Sequence, residues 1–146
     1  LDEAIEDAQS MMNEGYRNSS IYGMLGYFKL LRNDDLDETT KLCEEAYDYN
    51  SDDRDIKDNL SICYFRKGEY EKAEKISDEL VGSAPNFVEG FYHGIQIAMK
   101  LNKYDKAAEY AEKLKECKRS GMTTVTEEEV NKLIQEVKNH NENTIG

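Results

Sequence analysis

Apolar residues recur along this chain at steps of three and four, and no useful stretch alternates in twos. The first spacing stacks side chains on one face of a helix, whereas a half-buried strand needs the second. The pattern predicts helices over 1–14, 18–32, 36–49, 53–67, 70–82, 87–101, 104–118 and 126–140. Short polar turns separate them: Arg32-Asn33-Asp34-Asp35, Lys67-Gly68-Glu69 and Leu101-Asn102-Lys103. Broader breaks fall at Glu14-Gly15-Tyr16-Arg17-Asn18, Asn50-Ser51-Asp52-Asp53 and Gly82-Ser83-Ala84-Pro85-Asn86. Asn, Ser, Asp and Gly cap helices or take left-handed backbone, and Pro cannot continue a helix.

The helices repeat in pairs. Gly68-Glu69-Tyr70-Glu71-Lys72-Ala73-Glu74 aligns with Asn102-Lys103-Tyr104-Asp105-Lys106-Ala107-Ala108 at an offset of 34, which also carries Leu80 to Leu114, Leu36 to Tyr70 and Thr39 to Ala73. One step earlier the offset is 35, carrying Leu1 to Leu36, Ala4 to Thr39 and Ala8 to Cys43. The first helix of each pair opens on apolar or small residues: Tyr22, Leu25 and Gly26, then Leu60, Ser61 and Tyr64, then Phe91, Gly94, Ile95 and Ala98. The second carries small pairs one turn apart, Ala4/Ala8, Thr39/Cys43, Ala73/Ser77 and Ala107/Ala111, which let two helices approach closely.

The period, the helix–turn–helix unit and the small-residue pair resemble the tetratricopeptide repeat. Tyr22-x-x-Leu25-Gly26 is similar to that family's opening signature, and Ala73, Pro85 and Ala107 stand where its Ala and Pro belong. The resemblance covers 1–119. Lys57 stands where a bulky apolar residue is usual, Thr39 replaces Ala, and only one unit ends in Pro. The implied fold is all-α: a right-handed α-solenoid of stacked antiparallel helix pairs, about eight helices in all. The implied division is the second helix of a truncated repeat at 1–16, repeats at 17–51, 52–85 and 86–121, a C-terminal capping helix at 122–141 and a frayed tail at 142–146. Thr126-Glu127-Glu128-Glu129 reads as a capping box opening that last helix, with Val130, Leu133, Ile134 and Val137 as its apolar stripe. Helix 1–14 leaves Ala4, Ile5, Ala8, Met11 and Met12 in want of a cover.

Composition narrows the function classes. Of 146 residues, 19 are Lys or Arg and 31 Asp or Glu, a net charge of −12. Phosphate binding needs a basic face, so nucleic acid is not an expected partner, nor is an anionic membrane surface. No apolar run approaches the roughly 20 residues that span a bilayer. The beginning without Met, already in a helical pattern, reads as a piece of a longer chain. The cysteines, Cys43, Cys63 and Cys117, are odd in number and no two adjoin as a redox or zinc pair would. They read as small core or half-core residues, and reduced thiols fit a cytoplasmic location.

Candidate chemistry is sparse. The two histidines are His93, mid-helix beside Tyr92, and His140, near the C-terminal end and expected to be solvated. No phosphate loop, zinc-protease motif or calcium loop is present. Asp34-Asp35 and Asp52-Asp53 lie on turns and read as helix caps. Neither catalysis, a cofactor nor a metal is expected. What remains is binding by a surface. The resemblance implies a concave groove lined by the first helices, with Tyr27, Leu30 and Leu31, then Asp55, Asp58, Asn59, Ile62, Phe65 and Arg66, then Glu89, Tyr92, His93, Gln96, Met99 and Lys100. The apolar members serve equally as inter-repeat core. Some members of the family grip acidic chaperone tails with Lys, Arg and Asn on this face. Only Asn59 matches that set, so a basic or neutral peptide or protein segment is the expected partner. The competing reading is a scaffold or spacer that self-associates through helix 1–14.

Overall fold

A computed structural model describes the backbone of residues 1–145 and the side chains through Glu142. Among the described residues there are eight helices and no strand: α1 (Asp2–Asn13), α2 (Ser19–Arg32), α3 (Leu36–Tyr49), α4 (Arg54–Arg66), α5 (Tyr70–Ser83), α6 (Val88–Lys100), α7 (Tyr104–Glu116) and α8 (Glu127–Ile145). Helix α8 continues through 142–145, part of the tail expected to fray, and Gly146 lies outside the described residues.

The helix boundaries follow from local chemistry. Asn18, Asp35 and Asp53 cap α2, α3 and α4, accepting hydrogen bonds from the backbone N–H groups of Ile21, Glu38 and Ile56 at 3.0 Å each. The turn within each helix pair places one residue in left-handed backbone: Asn33 (φ 57°), Gly68 (φ 78°) and Asn102 (φ 59°). Gly and Asn tolerate that conformation best, and it ends the helix sharply. At α8 the Thr126 hydroxyl accepts from the Glu129 N–H at 3.1 Å. Glu129 does return to the cap, but its carboxylate accepts from the Thr126 hydroxyl, also at 3.1 Å, instead of the backbone.

The chain divides into two compact units, Leu1–Ile76 and Ser77–Gly146, with the division inside α5. In the first, Ile5, Ala8 and Met12 of α1 are buried with Ile21, Tyr22, Leu25, Ala46 and Ile56. This corrects the expectation for α1: its apolar face is covered by the helices that follow it, and of the residues in want of a cover only Met11 stays exposed, with Ala4 half-buried. A second cluster joins Leu30, Cys43, Leu60, Cys63 and Ile76. Lys57, the departure from the apolar pattern, is nonetheless buried.

The second unit has one continuous core. Val88, Phe91, Ile95 and Ala98 of α6 meet Ala107, Tyr110, Ala111 and Leu114 of α7 and Leu133 and Val137 of α8. Phe91 meets Tyr110 edge-on, centroids 5.6 Å apart. Gly94 permits this closeness: a Cβ there would lie 3.1 Å from both the Ser77 hydroxyl and the Tyr110 ring.

Candidate functional site

The residues expected to line a groove divide between the units, and each set is described in its own unit. In the first unit, α2 and α4 face each other through Gly26. A Cβ at Gly26 would lie 3.1 Å from the Asn59 side-chain nitrogen and 3.2 Å from the Cys43 sulfur. Asn59 uses this approach. It is buried, and its amide donates to the Gly23 carbonyl at 2.9 Å. Asp58 is buried as well. Both were expected on an open groove; instead Asn59 ties α2 to α4, and Asp58 is withdrawn from solvent.

Asp55 and Arg66 remain exposed on α4, while Tyr27, Ile62 and Phe65 are half-buried. Arg66 donates to the Leu30 carbonyl at 3.1 Å, anchoring the guanidinium near the end of α2. Tyr27 packs against Phe28 and Phe65 against Tyr70, with centroids 5.9 and 5.5 Å apart. Leu30 is core, whereas Leu31 and Met24 are exposed at 52% and 45%. The open part of this face is therefore apolar along α2 and charged at Asp55 and Arg66.

In the second unit the candidate residues stand on α6. Glu89 is buried, accepting from the Thr124 backbone N–H at 2.7 Å and from its hydroxyl at 3.1 Å. That corrects its placement on an acidic rim: its role is to hold the segment leading into α8. Tyr92, His93, Gln96 and Met99 are half-buried, and Lys100 is exposed. Tyr92 and Met99 pack against the core cluster, and the Tyr92 and His93 rings meet edge-on at 5.6 Å. Burial raises the Tyr92 hydroxyl above the ordinary phenol range, and Glu129 and Glu136 of α8 add to it.

Several clusters were not legible in the sequence. Tyr22 donates to Glu45 at 2.8 Å, Arg17 donates to the same carboxylate at 3.0 Å, and Tyr49 packs on Tyr22 with centroids 5.2 Å apart. His140, expected in solvent, stacks on Tyr104 at 3.6 Å. Cys43 and Cys63 meet in the core with sulfurs 3.7 Å apart. A cavity of about 540 Å³ opens in the second unit, its lining including Val88, Leu114, Cys117, Arg119, Val130 and Ile134. The sequence separations involved, 20 residues for the thiols and 36 for His140 and Tyr104, leave no local motif to read. Among the described residues no group of three or more His, Cys, Asp or Glu gathers as metal ligands. No described helix is long and apolar enough to cross a membrane.

Comparison with known proteins gives a consistent result. The tetratricopeptide-repeat family model matches residues 30–90. The Sgt2 tetratricopeptide-repeat domain from Aspergillus fumigatus superposes with a TM-score of 0.73 at 17% identity, over 86% of this chain and 80% of that one. The first such domain of Spaghetti (RPAP3), solved bound to the HSP90 peptide SRMEEVD, gives 0.70 at 14% identity, over 84% and 91%. A thermophilic tetratricopeptide-repeat protein of Thermus thermophilus gives 0.71 at 15% identity, over 92% and 71%. No curated protein matches significantly. With helix pairs, left-handed turns and small-residue contacts all recurring in register, residues 30–90 belong to the tetratricopeptide-repeat family, and the array around them has the all-α helical-repeat fold of that family's proteins.

Proposed function

We propose that this chain is a non-catalytic protein–protein interaction module that binds a peptide segment on the first-helix faces of its repeats. The observation that carries the reading is the row Tyr92, His93, Gln96, Met99 and Lys100 on α6: half-buried aromatic, amide and thioether groups ending in an exposed cation. Rigid aromatics give contact area at low entropic cost, and a Met side chain adapts to irregular surfaces. The stripe Met24, Tyr27 and Leu31 on α2 offers the same chemistry in the first unit. Extended or helical segments suit such rows, since their anchors recur at similar intervals.

The partner is basic or neutral. Burial of Asp58 and Glu89 moves the source of this preference: it comes less from the groove residues than from the net charge of −12 over the whole chain. The Spaghetti domain binds an acidic peptide. Here the amide of Asn59 is committed to a backbone carbonyl, so it is not offered to a ligand carboxylate.

Calorimetric titration with a basic amphipathic peptide and with the acidic SRMEEVD peptide tests the proposal. The basic peptide is expected to bind more tightly, with affinity falling as salt rises. Tyr92→Ala is expected to weaken it about tenfold, the scale of losing a modest anchor in the second unit, and Tyr27→Ala tests the face of the first unit separately. Preference for the acidic peptide overturns the charge assignment. Binding that ignores both substitutions overturns the assignment of the faces.

A further inference from the structure

Cys43 of α3 and Cys63 of α4 are both buried, at 2% and 0% exposure, and their sulfurs stand 3.7 Å apart. Neither is disulfide-bonded. Leu30, Leu60 and Ile76 complete the cluster around them. Core cysteines are common as small hydrophobes, but two in direct contact across adjacent helices are also a latent cross-link. A bonded pair needs about 2 Å between sulfurs, so these two must approach by less than about 2 Å. We propose that Cys43 and Cys63 are an oxidisable pair whose disulfide clamps α3 to α4, the junction between successive repeats in the first unit.

The chemistry balances with a peroxide as the oxidant. Cys63, as thiolate, attacks one peroxide oxygen; the O–O bond breaks, and the departing hydroxide takes a proton to become water, leaving a sulfenic acid. Cys43, losing its own proton, then attacks the Cys63 sulfur; the S–O bond breaks and a second water leaves. Two thiols are oxidised by two electrons and one peroxide is reduced to two waters. Either sulfur can take the first step with the same balance, since in the closed core the Cys63 thiol donates to the Cys43 sulfur and the two stand side by side. Because neither sulfur meets solvent, oxidation proceeds through local opening of the first unit and is slow while that unit is intact. Once formed, the bond closes a short loop and restrains the unfolded chain.

The test uses the whole chain, treated with hydrogen peroxide in native buffer, alkylated and digested without reductant. The expected result is a peptide pair linked through Cys43 and Cys63 that has lost two hydrogens. Melting is expected to rise by about 5 °C and to return on addition of dithiothreitol. Cys63→Ala is expected to abolish the shift, while Cys117→Ser leaves it intact. The peptide map needs no variant, so a poorly folding substitution does not obscure the answer. Oxidation confined to Cys117, a linked peptide found only in denaturant, or a linked protein that melts no higher would each overturn the proposal.

Discussion

The two units solve the same packing problem with different chemistry. The first buries Thr39, Thr40, Lys57, Asp58, Asn59 and Ser61 among its apolar side chains and splits its core into two clusters. The second builds one apolar core from three helices, with Phe91 edge-on to Tyr110 at its centre. Apolar burial is non-directional, so it fixes that helices pack but leaves some freedom in how. Buried hydrogen bonds such as Asn59 to Gly23 are directional and penalise any other register. The comparison teaches that one repeat pattern accommodates both solutions, provided the small residues at the helix crossings are kept.

The largest expected effect tests the apolar core of the second unit. Phe91 is 2% exposed, and Phe91→Ala removes its ring from Tyr110 and leaves a cavity, at about 3–5 kcal/mol. Leu60→Ala in the first unit deletes a smaller side chain at 1% exposure and is expected to cost about 2–4 kcal/mol. Urea unfolding followed by circular dichroism checks both. Equal midpoints for the two variants would show that the second core is not the more dependent on one side chain.

A smaller effect tests directional bonding in the first unit. Asn59→Ala removes the side-chain bond to the Gly23 carbonyl, which keeps its own partner within α2, and is expected to cost about 1–2 kcal/mol. Its amide protons are expected to exchange faster throughout α2 and α4, measured by hydrogen exchange. A loss spread evenly over both units would break the claim that this bond belongs to the first unit alone.

The smallest effect is a gain. The Ser77 hydroxyl is buried with no hydrogen-bond partner among the described residues, at a position where the repeat calls for a small side chain. Ser77→Ala keeps the size nearly unchanged and removes the stranded donor, so stability is expected to rise by about 1 kcal/mol. Thr39 shares the stranded hydroxyl, but Thr39→Ala also deletes a methyl from a full site, so its gain is expected to be smaller. Thermal melts of the two variants, compared with the parent, rank them. A loss on Ser77→Ala would mean that this hydroxyl has a partner in solution.

Much of this was legible in the sequence because repeat folds are built from near neighbours. Helices, caps and turns answer to rules that act over four or five residues, and Asn33, Gly68 and Asn102 each end a helix as their residue types suggest. The proposed faces were less legible. Helical periodicity puts Asp58 and Asn59 on the same general side of α4 as Asp55, but burial depends on how closely α2 approaches, which Gly23 and Gly26 set. Glu89 gives the same lesson, since its partner Thr124 lies 35 residues away in an irregular segment.

By itself, then, the sequence determined the helices, their pairing and the small-residue crossings, because those depend on local periodicity and on side-chain size. Tertiary structure decided which polar residues are spent inside and which face solvent. It covered α1, buried Asn59 and Glu89, stacked His140 on Tyr104, and brought Cys43 to Cys63. Those outcomes turn on distances of an ångström or two between helices far apart in the chain, and no local pattern encodes a distance.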